Sequence, residues 1–228
     1  MKTQIKKIYH RYHINEFRKS PFLWLYSAYL TLRHIDRYNH FPAIRFNSFI
    51  KVKFNKAKGS SIQVNSRLIF EAFLGSDTPT IFNLQKNASI IINNDFALGG
   101  GIKLIVCEDA LLKLSGKVKE TASGITADST VMVKEHLEIG EDCLIAWNTF
   151  ITDSDWHTVE GKPHTLKTII GNHVWIGVGA RVLKGAMIGH NSIITTNSVV
   201  LKGQYPNQVM LSGAPAKITG ENIPNWTR

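Results

Sequence analysis

The chain has 228 residues, 43% of them hydrophobic, and a formal net charge of +10, so it can bury a sizeable core and is too apolar for a disordered polyelectrolyte. Its two cysteines, Cys107 and Cys143, exclude a disulfide-stapled scaffold and read as buried thiols in a reducing cytoplasm. The apolar run Phe22 to Leu32 has 11 residues, too short to span a bilayer, and no small-residue cleavage site follows it as in a secretory signal.

Residues 1–58 form a basic, partly helical N-terminal arm, with 13 Lys and Arg against 2 Asp and Glu, whereas the rest of the chain carries 14 against 15. All of the charge excess therefore sits in this arm, which suits an anionic partner: phospholipid headgroups, a lipid diphosphate or nucleic acid. Because the excess adjoins an aromatic apolar segment, the expected site of work is the inner face of the cytoplasmic membrane, with no nucleic acid involved. Within the arm, Ser20 and Pro21 suit the N-cap and first position of a helix. That helix would cover one end of the fold or lie in a membrane interface.

Residues 59–205 carry a six-residue rhythm. Ile170, Ile176, Val182, Ile188, Ile194 and Val200 are each six apart. A step of six scatters side chains round an α-helix but keeps them on one face of a strand. Two residues before each stands Thr168, Val174, Ala180, Ala186, Ser192 or Ser198, mostly small residues that face inward at corners. Glycine follows at Gly171, Gly177 and Gly189, as tight turns require. The beat continues upstream in a shifted phase at Val133, Ile139, Ile145 and Ile151, and more weakly at Ile62, Leu68 and Leu74 and at Ile92, Leu98 and Leu104. This is the register of hexapeptide repeats stacked as a parallel β-helix with three short strands per coil. The stretch 75–130 is irregular, and Gly99-Gly100-Gly101 lacks the Lys-Ser/Thr that a phosphate loop needs, so it reads as a turn. Residues 206–228 form a C-terminal tail.

The beat breaks between about 152 and 169, where a loop must protrude. Asp153, Asp155 and His157 lie there with one parity, so an extended segment would project all three to one side. An imidazole of suitable pKa takes a proton from a hydroxyl, and a neighbouring carboxylate fixes its tautomer and stabilises the imidazolium.

The hexads, this D-x-D-x-H segment, the block Ile170-Gly171-Asn172-His173-Val174-Trp175-Ile176-Gly177 and the later Gly213-Ala214-Pro215-Ala216-Lys217 together resemble the hexapeptide-repeat acyltransferases. Within that family the chain is similar to sugar and surface-polysaccharide O-acetyltransferases, akin to maltose and galactoside acetyltransferases, over residues 131–217. The resemblance implies a left-handed parallel β-helix, a homotrimer and acetyl-CoA bound in a groove between neighbouring prisms. It implies acetyl transfer to a sugar hydroxyl with His157 as general base, Asp155 orienting the imidazole, and Asp153 as its substitute or an acceptor ligand. Asn148 and Trp147 match acceptor-pocket positions, and Trp175 matches an aromatic beside the CoA groove. A backbone N–H near Gly177 or Val178 would meet the oxyanion. Thr196 opens the segment that faces the pantetheine arm, and Lys202 and Lys217 match the phosphate-binding cations. No metal is expected. The competing readings are a zinc hydratase of the γ-carbonic-anhydrase type, drawing on His136, His157, His164, His173 or His190, a non-catalytic membrane-docked scaffold, and an acyl carrier protein as donor.

Overall fold

The computed structural model describes residues 20–74, 76–117 and 123–227. Among these the chain forms one α-helix, Pro21–His34, followed by short strands that wind into a three-sided prism. Its three flat sheets contain eight, nine and seven strands and are called I, II and III, in the order in which each coil visits them. Each strand pairs in parallel with its equivalent one coil later, so that Ile170 lies on Ile188, Ile176 on Ile194, and Val182 on Val200. A coil here is therefore eighteen residues, three hexads. The sole antiparallel pairing between named strands is at the far end, where Ala216–Gly220 folds back on Met210–Gly213.

The inward aliphatic positions form one continuous core: Val133, Ile139, Ile145, Ile151, Ile176, Val182, Ile194 and Val200 are all fully buried, and Ile170 and Ile188 nearly so. The small inward residues Ala180, Ala186, Ser192 and Ser198 are equally buried at the corners. Near the base the filling becomes aromatic, with Phe46 stacked on Phe70 at 4.9 Å and Phe54 on Phe82 at 4.6 Å. Cys107 and Cys143 are both buried. The corner glycines have a different reason from the one expected. At the corner between sheets I and II, the left-handed backbone falls on Asp142, His173 and Asn191 (φ 55–56°). The glycine is needed because coils approach closely: a Cβ on Gly189 would stand 2.5 Å from the backbone of Pro206 and Asn207.

Two expectations are corrected. The prism starts inside the stretch assigned to the arm, because Arg37–Tyr38, Ile44–Phe46 and Val52–Lys56 form a complete first coil. Its inner residues are covered by the helix instead of by an earlier coil, which alters the beat: Tyr26 packs on Phe46 at 5.2 Å and His34 stacks on Phe54 at 4.4 Å. Burial, reinforced by the charges of Arg33 and Lys56, lowers the His34 pKa. The Leu74 hexad also fails. Leu74 is 40% exposed, in a loop that leaves sheet II after Phe70 and folds over Gly99–Gly101. There the Ser76 and Thr78 hydroxyls meet the Asp128 carboxylate at 2.6 and 3.1 Å.

On the outer face of sheet I, Glu138 gathers His136, Lys167 at 3.0 Å and Lys113 at 3.4 Å. Burial opposes its ionisation, but hydrogen bonds from His136 and Lys167 and the charges of Lys167 and Lys113 outweigh it and hold the carboxyl at about 2. A folded pKa below the ordinary 4.5 means that this stabilisation is complete above pH 4.5 and is lost as pH falls towards 2. Glu138→Gln is expected to cost on the order of 1 kcal/mol at pH 7, since the cluster is partly solvated. It should also flatten the acid limb between pH 4.5 and 2, and thermal melts at pH 7, 4 and 3 check both effects.

Candidate active site

The interruption of the repeat is a hairpin at the corner between sheets III and I. It leaves strand Phe150–Thr152 and returns into strand Thr168–Ile170. Its base is pinned by Asp153, whose fully buried carboxylate accepts the backbone N–H groups of Lys134 at 2.7 Å, Glu135 at 2.8 Å and His136 at 2.7 Å. The Asp153 carbonyl accepts the Leu166 N–H at 3.0 Å, which closes the two ends on each other. Ser154 then bridges Thr165 in antiparallel fashion, and the Asp155 N–H donates to the His164 carbonyl at 3.2 Å. A largely buried Lys184, from the next coil's corner, ion-pairs with Asp155 and donates to the Pro163 carbonyl. Beside it the Trp156 indole N–H donates to the Thr152 hydroxyl at 3.2 Å, and its ring packs against the core.

This geometry separates the three residues that the parity argument put on one side. The segment is not extended: Trp156 has φ 66°, and the alternation breaks there. Asp153 points inward to backbone donors and Asp155 to Lys184. His157 follows the anchored Trp156 and is exposed, and among the described residues its imidazole has no hydrogen-bond partner. Its two ring nitrogens are thus presented on a latched hairpin. Lys184 was not foreseen, although the coil length carries its signal: Leu166, Lys184 and Lys202 are eighteen apart, and a Cβ on the neighbouring Gly185 would stand 3.0 Å from the Leu166 side chain and 3.1 Å from that of Lys202.

A second group lies at the corner between sheets II and III. Trp147, Val178 and Thr196 occupy equivalent turn positions in successive coils, each followed by a left-handed residue, Asn148, Gly179 or Asn197, at φ 58–68°. A ladder joins them: the Gly179 N–H donates to the Trp147 carbonyl at 3.1 Å and the Asn197 N–H to the Val178 carbonyl at 2.8 Å. The Gly177 N–H is occupied by the Ile194 carbonyl at 2.8 Å, whereas the Val178 N–H, just before the left-handed Gly179, is not taken up in this ladder. Trp175 projects outward from sheet II, with Trp226 of the tail 6.1 Å away. Trp226 in turn stacks on His173 at 4.1 Å, a contact the sequence reading did not anticipate. Lys217 is exposed on the closing strand, and Lys202 lies at the hairpin corner. Sheet III therefore stands between His157 and the Trp147, Asn148, Val178 and Thr196 column within one chain.

The histidines of the zinc reading are dispersed. His136 bonds Glu138, His173 bonds Asp142 and the Trp226 carbonyl, and His190 accepts the Asn172 N–H. No group of three His, Cys, Asp or Glu poised for a metal occurs among the described residues.

The family model for the bacterial transferase hexapeptide (six repeats) matches residues 167–202. WbbJ of Escherichia coli (strain K12), assigned to lipopolysaccharide biosynthesis as an O-acetyl transferase, is 30% identical over 149 residues, spanning 59% of this chain and 73% of that protein. The chain belongs to the hexapeptide-repeat transferase family. The polysialic acid O-acetyltransferase of Neisseria meningitidis is 29% identical over 162 residues, 64% of this chain and 74% of that one. The crystal structure of the polySia-specific acetyltransferase NeuO covers 82% of this chain and 89% of its own at 22% identity, with a TM-score of 0.47. The prism described above is the left-handed parallel β-helix of this transferase family, and the hairpin at 153–167 is its one long insertion in the C-terminal coils.

Proposed function

We propose that this transferase moves an acetyl group from acetyl-CoA to a hydroxyl of a sugar in a surface polysaccharide or its lipid-linked precursor, with His157 as general base. The observation that carries this reading is the exposed imidazole on a hairpin fixed at its base by Asp153 and at its shoulder by Lys184, in a chain whose relatives are named as polysaccharide O-acetyltransferases. His157 removes the acceptor proton as the hydroxyl oxygen attacks the thioester carbonyl. The tetrahedral oxyanion is met by the Val178 N–H, and collapse expels the CoA thiolate, which takes the proton back from the imidazolium. No acyl-enzyme forms. Asp153 and Asp155 act through the hairpin as positioning residues.

The separation of His157 from the Trp147–Thr196 column supports a homotrimer, in which the hairpin corner of one prism faces the Trp175 side of its neighbour. The CoA groove then lies between two chains, with Trp175 along the pantetheine or adenine and Lys202 and Lys217 at the phosphates. The basic base of the prism favours an acceptor held at the inner face of the membrane. Labelled acetyl-CoA offered with a panel of glycans tests the reaction, and incorporation into none of them, with no CoA binding at millimolar concentration, would overturn it. Trp175→Ala is expected to weaken CoA binding about tenfold, the value of one lost aromatic contact, as read by isothermal titration.

A further inference from the structure

The helix Pro21–His34 is apolar on two faces, and the prism uses only one. Ser27, Ala28, Leu30 and Thr31 are buried against the first coil, with Leu23 and Tyr26 packed beside them. The opposite face carries Phe22, Leu25, Tyr29 and Leu32 at spacings of three, four and three, which fall within one stripe of a helix. These four are 69%, 57%, 54% and 68% exposed. A soluble helix ordinarily turns charged residues to that side. The charge stands beside the stripe instead: Arg33 in the helix's last turn, Arg37, Lys51 and Lys53 of the first coil, and Lys58 just after it, are all exposed. The one acidic residue between 20 and 58, Asp36, is taken up by Lys56 and by the Ile62 N–H at 2.7 Å. A cationic collar therefore surrounds an apolar, aromatic-bearing stripe at one end of the prism.

We infer that this end is a docking surface for an anionic phospholipid bilayer, with the outer stripe of the helix seated in the headgroup region and the collar on lipid phosphates. The charge complementarity chooses the occupant: a second copy of the same base would bring collar against collar, whereas anionic headgroups neutralise it. No described helix is long and apolar enough to cross a membrane, so the attachment is peripheral and salt-sensitive. The prism axis then stands away from the bilayer, and the hairpin with His157 is held a few coils above the surface. This last consequence rests on the proposed acetyl transfer and deepens it, since the acceptor within reach is a glycan carried on lipid.

The test uses the full chain and sedimentation with vesicles of phosphatidylcholine alone or mixed with phosphatidylglycerol. The protein should pellet with the anionic vesicles at low salt and largely release at high salt. Leu25→Ser with Leu32→Ser should lower the partition about tenfold or more, as expected for two lost apolar anchors. Lys51→Gln with Lys53→Gln should weaken binding and reduce its salt dependence, while melting temperature and CoA affinity stay unchanged in both variants. Wild-type protein that stays in the supernatant overturns the inference. So does a leucine variant that pellets like wild type, one that changes oligomeric state and so reveals a second copy on the stripe, or one that melts earlier and so reveals residues 1–19 as the cover. Failure of acetyl transfer to both soluble and lipid-linked glycans, with vesicle binding intact, counts against the proposed reaction alone.

Discussion

Replacing His157 with alanine is expected to lower kcat by about a hundredfold or more while leaving the affinity for acetyl-CoA nearly unchanged. The side chain is exposed beyond an anchored Trp156, so its truncation opens no cavity and breaks no hydrogen bond among the described residues, and the fold should melt at the wild-type temperature. The effect must therefore come from lost proton transfer. Asp155→Asn should give a smaller fall, about tenfold, since it loosens the Lys184 latch without removing the base. Full activity in the His157→Ala protein would dismiss the assignment. A fall in CoA affinity of the same size as the fall in kcat would instead place His157 in the donor groove.

The six-residue beat was legible because each hexad sends one aliphatic side chain inward, and every member from Ile170 to Val200 is buried as that rule requires. It was legible only where a coil lies between two others. The first coil is closed by a helix, so its inner positions are set by helix packing, with Phe54 under His34 and Phe46 under Tyr26, and the basic residues on its outer faces read as an arm. Leu74 kept the spacing but fell in a loop, since a lone aliphatic residue six positions on carries no information about where a coil bulges. The hairpin shows the same limit in the site. The break in the beat located it and His157 within it, but strand parity was the wrong rule for a segment with a left-handed Trp156. Lys184 and Trp226 hold their partners across 29 and 53 residues of sequence, Asp155 for the lysine and His173 for the tryptophan, contacts that only the stacked coils create.

Asp153→Ala should destabilise the fold by about 3–5 kcal/mol, the largest stability change expected here. The carboxylate is fully buried and accepts three N–H groups from Lys134, Glu135 and His136, the turn that leads into strand His136–Ile139. Truncation leaves those donors without acceptors in a site with little water, and hydrogen bonds to a charged group contribute about 1.5–3 kcal/mol each, less than additively. The hairpin ends would part from the coil below, so limited proteolysis within 154–166 should accelerate along with the drop in melting temperature. Asp153→Asn is the sharper probe. It keeps the shape and one acceptor oxygen but turns an amide NH2 towards a backbone N–H, so it should lose stability by an intermediate amount and lose turnover in proportion to the unfolded or unlatched fraction. Asp155→Asn, at an exposed carboxylate, should melt close to wild type. If Asp153→Asn melted like wild type yet lost turnover, the carboxylate would have a direct role in the chemistry and the structural assignment made from its three backbone donors would be wrong.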